Sequence, residues 1–228
     1  MKEECLLCGA PLEYLEQGTE MECAMCHKKE ISRARCMKGH YVCDSCHTAG
    51  VDSIVGICLQ EQRKNPYTIL SRLMDLPFCH MHGPEHHIMV GSSLLTAYHN
   101  AGGKLDLEKA LYEMQERGRQ VPGGICGFWG SCGAAISSGI FLSIVLGATP
   151  LSGREWGLCN QLTSAVLADI GAVGGPRCCK RNSYLSLKRA VPFVKEHLGV
   201  EMELSEIRCR HRGQNAQCIG TRCPFFPK

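Results

Sequence analysis

The 228-residue chain carries 17 cysteines and 10 histidines, a formal net charge of +3 and 6% aromatic residues. A chain of this length buries a core without covalent staples, so cysteines in such number are not there for packing. The opening MKEECLLCGAPLEYLEQ has acids and no apolar run, so no secretory leader, a cytoplasmic setting and reduced thiols are expected; the odd cysteine count also argues against a disulfide scaffold. Metal ligation and thiol chemistry remain.

Charge is unevenly placed. Met1 to Cys26 holds six glutamates against Lys2, whereas Arg177 to Arg189 holds five basic residues and no acid. Arg210, Arg212 and Arg222 are the charges between Cys209 and Cys223. The C-terminal part is suited to an anion, whether a phosphate, a carboxylate or an all-thiolate cluster.

The first 47 residues read as a metal module. Cys5-x2-Cys8 and Cys23-x2-Cys26 stand fourteen residues apart, and Cys36-x3-His40-x2-Cys43-x2-Cys46 follows. Eight ligands in four pairs suit two zinc ions, and a segment this short draws much of its folding energy from metal. Cys43-x2-Cys46-His47 also spells a c-type haem attachment, but both cysteines are claimed by the zinc pattern. The run CMKGHYVCDSCH resembles the centre of a RING-type finger. That resemblance implies a cross-brace, with Cys5/Cys8 joined by Cys36/His40 and Cys23/Cys26 by Cys43/Cys46, and a module for contacts with a partner protein. Spacing alone equally allows sequential pairing, as in two zinc ribbons.

Residues 48–200 read as a helical body. Val51, Ile54, Val55, Cys58 and Leu59 share one helical face. Asn65-Pro66 caps the next helix, with Tyr67, Leu70, Leu73 and Met74 as its stripe and Pro77 as its stop. CHMHGPEHH, Cys79 to His87, puts five ligand-type residues around a helix entrance opened by Pro84. That helix runs through Tyr98 to Gly102-Gly103, and Asp106 caps another. Cys126 and Cys132 lie in a glycine-rich loop feeding the uncharged segment Gly133 to Leu151. The helix over Gly133–Gly147 is expected to be the central, fully buried one, with Cys132 at its N-terminus where a thiolate is favoured. Its serines and internal glycines argue against a membrane span. Ser152-x-x-Glu155 predicts a capping box, Cys159 falls on an apolar face, and a last helix is expected from about Arg181 to Leu198.

Cys209-x8-Cys218-x4-Cys223 in the tail, 201–228, ends in Cys-Pro and suggests an iron–sulfur cluster, 4Fe–4S favoured, with Cys178 or Cys179 as fourth ligand. Zinc bound with His211 is the rival. No GxGxxG, Walker, GxSxG or paired-carboxylate motif occurs, which removes nucleotide-cofactor folds and common hydrolases. The segments from CHMHGPEHHIMVGSSLLTAY to CIGTRCPFF, residues 79–223, resemble an uncharacterised prokaryotic cysteine-rich family of unknown function. Its members are sometimes attached to methyltransferase-like domains, and the resemblance implies no activity.

The expected fold is thus mainly α. A RING-like or treble-clef finger, or a double zinc ribbon, precedes a helical bundle around a buried apolar helix, and an irregular cysteine-rich tail packs on the body. The expected function is redox or sulfur transfer, with Cys126 and Cys132 as exchanging thiols and His82 or His86 as acid/base or a second metal site. Arg177, Lys180 and Arg181 would hold an anionic or sulfur-containing substrate. A non-enzymatic zinc adaptor or metal carrier is the alternative. RNA handling is weaker, because no aromatic residue interleaves the basic tail before Phe225. Four segments, at Cys126/Cys132, Cys79–His87, Cys178–Cys179 and the tail, are expected to meet.

Overall fold

The computed structural model describes residues 5–8, 10–47 and 50–227. The expected finger–body boundary after residue 47 falls at 48–49, outside the described residues. The finger is an antiparallel hairpin, β1 (Leu12–Glu22) against β2 (Lys29–Cys36), with a register shift between Tyr14 and Thr19. The hairpin holds its cysteines at its ends: Cys23 and Cys26 in the turn, Cys36 at the close of β2, with Cys5 and Cys8 leading in. The one-turn helix α1 (Asp44–His47) follows.

The body consists of α2 (Ser53–Leu59), α3 (Pro66–Met74), α4 (His86–Asn100), α5 (Leu107–Arg119), the single turn α6 (Ile125–Phe128), α7 (Gly133–Leu146), α8 (Arg154–Val173) and α9 (Cys179–Leu198). Local chemistry sets most boundaries. The Asn65 side chain accepts from the Tyr67 N–H at 3.0 Å, and Asp106 from that of Lys109 at 3.1 Å, each satisfying one orphan donor of a helix start. Gly147, at φ 60°, ends α7 in the left-handed conformation glycine adopts most easily.

Two expectations need correction. The central helix is α4, not α7. From His86 to Tyr98 every residue of α4 is buried, and it packs on α2, α3, α5, α7 and α9. α7 is buried over most of its first half, but Ile140 and Ser143 to Leu146 are only half-buried. The α4–α5 approach is close: a Cβ on Gly91 would stand 2.1 Å from the Met114 sulfur. The capping box at Ser152 does not form either. The Ser152 hydroxyl accepts from the Thr149 N–H at 2.9 Å, α8 begins at Arg154, and its Gly153 cap makes no side-chain bond. A local turn has taken the oxygen that the cap required. α9 starts two residues ahead of expectation, with the Cys178 sulfur accepting from the Arg181 N–H at 3.4 Å.

No helix among the described residues is long and apolar enough to cross a membrane. Leu94 of α4 is 0% exposed, whereas Leu151 is 96% exposed. Leu94→Ala is therefore expected to cost about 2–5 kcal/mol, and Leu151→Ala less than about 0.5 kcal/mol. The comparison is read from urea midpoints of the metal-loaded protein; equal midpoints would put the core elsewhere.

Candidate metal centres and cleft

The finger's ligands converge in two groups, Cys5/Cys8/Cys36/His40 and Cys23/Cys26/Cys43/Cys46, the ligand atoms of each lying within 4.8 Å of one another. The pairing is the cross-brace. Cys8 and Cys36 sulfurs are 3.6 Å apart, as are those of Cys26 and Cys43, and His40 Nδ1 stands 3.3 Å from the Cys8 sulfur. A zinc ion with Zn–S bonds of about 2.3 Å places tetrahedral sulfurs at about this separation. Backbone N–H groups of Leu7, Lys38 and Cys43 point at the sulfurs of Cys5, Cys36 and Cys23 at 3.2–3.4 Å. Burial works against ionisation, but such donors outweigh it and hold Cys23 at about 6 and Cys36 at about 7. The hydrogen bond to Cys26 pushes Cys46 up to about 12. Four sulfurs in one site share protons this way when no cation takes them all.

Finger and body face each other across a cleft of about 840 Å³. Polar and ring contacts join them. The Gly123 N–H donates to Asp44 at 2.8 Å, His47 Nδ1 lies 3.5 Å from Glu85 Oε2, and the His47 and His80 rings meet edge-on at 4.5 Å. Arg33 lies over the Phe128 ring and Arg177 over that of Tyr14, at 5.1 and 5.3 Å, on the cleft wall. The cleft is lined from the body by His82, His86, His87, Cys126, Cys132 and Cys179. Three of the four expected segments therefore share it.

The tail cysteines do not line this cleft. Cys209, Cys218 and Cys223 line a separate space of about 20 Å³ together with Cys178, walled by Met81, Tyr184, Phe225 and Phe226, with Cys218 exposed at its edge. Of the two candidate fourth ligands, Cys178 turns to the tail and Cys179 to the cleft. Each of three sulfurs here receives backbone N–H: Cys178 from Arg181 at 3.4 Å, Cys209 from His211 at 3.4 Å and Cys218 from Gly220 at 3.5 Å. Asn215 Nδ2 adds a bond to Cys178 at 3.5 Å. His211 Nε2 is buried on the same wall without a hydrogen-bond partner. Unlike the finger ligands, these four sulfurs are not drawn into one tight group.

A third converged group, Cys79/Glu85/His86, lies at the α4 entrance. Glu85 is 0% exposed. Burial would raise its carboxyl, but the His47 and His86 rings, each with Nδ1 within ion-pair distance of a carboxylate oxygen at 3.5 and 3.4 Å, overcome this and keep it well below the ordinary carboxylate range. Burial also pulls His86 down to about 4, so the ring is neutral at neutral pH. Its Nδ1 faces the Gly83 carbonyl at 3.1 Å and its Nε2 the Cys79 sulfur at 3.8 Å.

The basic residues expected to hold an anion are placed differently from one another. Lys180, 2% exposed, donates to the Cys79 sulfur at 2.8 Å, and burial still pushes that thiol up to about 11. Arg181 is buried, its guanidinium donating to the carbonyls of Gly174 and Pro176 at 2.8 and 3.0 Å. Arg177 alone of the three lines the cleft. Cys132 is the N-cap of α7, yet burial raises its thiol despite the N–H groups of Ala134 and Ala135; desolvation outweighs the helix start here. Cys58 is core, and Cys159 packs half-buried against it.

Sequence reasoning missed Glu85, Asn182 and Asn215 as partners of the site, and it gave Lys180 to a substrate anion where the structure pairs it with Cys79. Asn182 Nδ2 donates to the Cys132 sulfur at 3.3 Å across fifty residues, and no local pattern signals such a contact. Glu85 stood inside the His/Cys run and was the one with a signal.

A cross-braced finger on a helical body whose cysteines gather at helix ends defines a protein equipped to hold metal ions. The chain belongs to DUF5714, a family of unknown function, whose model matches residues 54–226 and so spans the body and tail. No curated protein and no solved structure matches it.

Purified protein should carry two zinc equivalents, one for each converged finger group. Under the cross-brace, Cys5→Ser with His40→Ala removes one equivalent; sequential pairing would lose both, since Cys5 and His40 would then serve different ions. Metal analysis by mass spectrometry reads the difference directly.

Proposed function

We propose that this is an iron–sulfur metalloprotein. Two zinc ions fold the finger, and a 4Fe–4S cluster sits on Cys178, Cys209, Cys218 and Cys223. The cleft beside it takes a small anionic or sulfur-containing substrate for redox or sulfur-transfer chemistry. The observation that carries the reading is the contrast between the two kinds of sulfur site. The finger sulfurs close to the separation that one ion imposes, whereas the tail sulfurs surround a space with N–H groups aimed at them. A cubane keeps its cysteine sulfurs further apart than a single ion does, and N–H donors and an apolar wall are what tune and protect such a cluster. Arg177 on the cleft wall supports an anionic substrate. The reading requires a reducing compartment such as the cytoplasm.

A second reading keeps the tail as a zinc site in a non-enzymatic adaptor. The buried, unpartnered His211 Nε2 favours it, since three thiolates and an imidazole complete a zinc tetrahedron. Anaerobic protein reconstituted with iron and sulfide separates the two. The cluster reading expects broad visible absorption, and Cys209→Ser with Cys218→Ser should lose about four iron and four sulfide per chain. Zinc in place of iron at the tail, and its loss on His211→Ala, would establish the adaptor reading instead.

A further inference from the structure

Three more thiols remain in the cleft. Cys126 lies half-buried on the one-turn α6, Cys132 caps α7, and Cys179 is the first residue of α9. They come from helix starts scattered along the chain, yet all line one cavity, and Cys126 lies near enough to bear on Cys132, and Cys132 on Cys179. Asn182 Nδ2 donates to the Cys132 sulfur at 3.3 Å, a donor of the kind that steadies a metal thiolate.

His87 supplies an independent observation. It is 8% exposed, and its Nδ1 lies 2.9 Å from the Val121 carbonyl. A carbonyl only accepts, so Nδ1 carries the proton and Nε2 presents its lone pair. That Nε2 has no hydrogen-bond partner among the described residues. It fills the space a side chain on Gly133, the residue after Cys132, would need, 2.2 Å from where a Cβ would lie. A ring N–H tied to a carbonyl, with the other nitrogen left bare, is how a ligating histidine is oriented.

We infer that the cleft holds a second iron–sulfur cluster, bound by Cys126, Cys132 and Cys179 with His87 Nε2 at the remaining iron. Three thiolates and an imidazole form a soft donor set. As in the tail, the cleft sulfurs are not closed into the tight groups seen in the finger, so the set suits a cluster better than one ion. Cys126 and Cys132 are then ligands, not exchanging thiols. The inference uses the same geometric criterion as the tail assignment but does not depend on the tail holding a cluster.

The test is iron, sulfide and zinc per chain in the full-length protein, reconstituted anaerobically. Two clusters predict about eight iron and eight sulfide beside the finger's zinc. Cys132→Ser with Cys179→Ser should remove about half of the iron, and Cys209→Ser with Cys218→Ser the other half. Unchanged zinc and helical circular dichroism show that each variant is folded. Cys126→Ser, on a half-buried single turn, removes one cleft ligand without entering the core and should also lower cleft iron. His87→Ala should leave the iron in place or reduce it, and change the electron paramagnetic resonance of the cleft cluster. Wild-type iron in both Cys126→Ser and Cys132→Ser/Cys179→Ser overturns the inference. Half the expected iron, abolished by the tail variant alone, also overturns it. Half the iron, abolished by the cleft variants alone, sustains it and sinks the tail cluster instead.

Discussion

Glu85 is a carboxylate with no exposed surface, and the arrangement around it decides how the finger sits on the body. A buried charge is tolerated only where it is answered. The answers come from both modules: the His80 N–H at 3.0 Å and the His86 ring from the body, and His47, one residue past Cys46, from the finger. Even Gly83 belongs to this arrangement, since a Cβ there would fall 2.0 Å from Glu85 Oε2. Because His47 follows Cys46 directly, a zinc ion on Cys46 would fix the start of the chain that reaches Glu85. Metal in the finger and the shape of the cleft are therefore mechanically linked.

The same group explains why Lys180 is not a substrate clamp. The Lys180 ammonium, 2% exposed, is taken up by the Cys79 sulfur at 2.8 Å and does not line the cleft. Glu85, His86, Cys79 and Lys180 form a connected polar core at the entrance of α4, the most buried helix of the body. With the ammonium already there, the Cys79 sulfur is a poor place for a further cation.

Much of this was legible in the sequence, and what was legible was local. Pairs of cysteines two residues apart named the finger ligands, because a tetrahedral site is built from short knuckles. Asn65, Asp106 and Gly147 marked helix ends by side-chain and backbone chemistry that acts within three residues. The errors came where a local signal had competition. Ser152 has the spacing of a capping box, but a turn at Thr149 bonds it first. The uncharged α7 reads as the core helix, but burial depends on how many neighbours cover a helix, and α4 has five. The pairing of finger ligands and the choice between Cys178 and Cys179 are long-range facts, and spacing does not contain them.

That last choice has a geometric cause. Successive residues at the start of a helix point about 100° apart, so Cys178 and Cys179 cannot both enter one site. Cys178, the N-cap, turns its sulfur to the tail space, where Asn215 meets it; Cys179 turns to the cleft, its own N–H held by His82 Nδ1 at 3.4 Å. Neighbouring residues thus tie two sulfur-lined spaces to one helix start, with one peptide unit between them. The spacing of the two spaces is thereby set by α9 itself. The finger faces only one of them; the other is walled by Tyr184, Phe225 and Phe226, with Cys218 exposed at its edge.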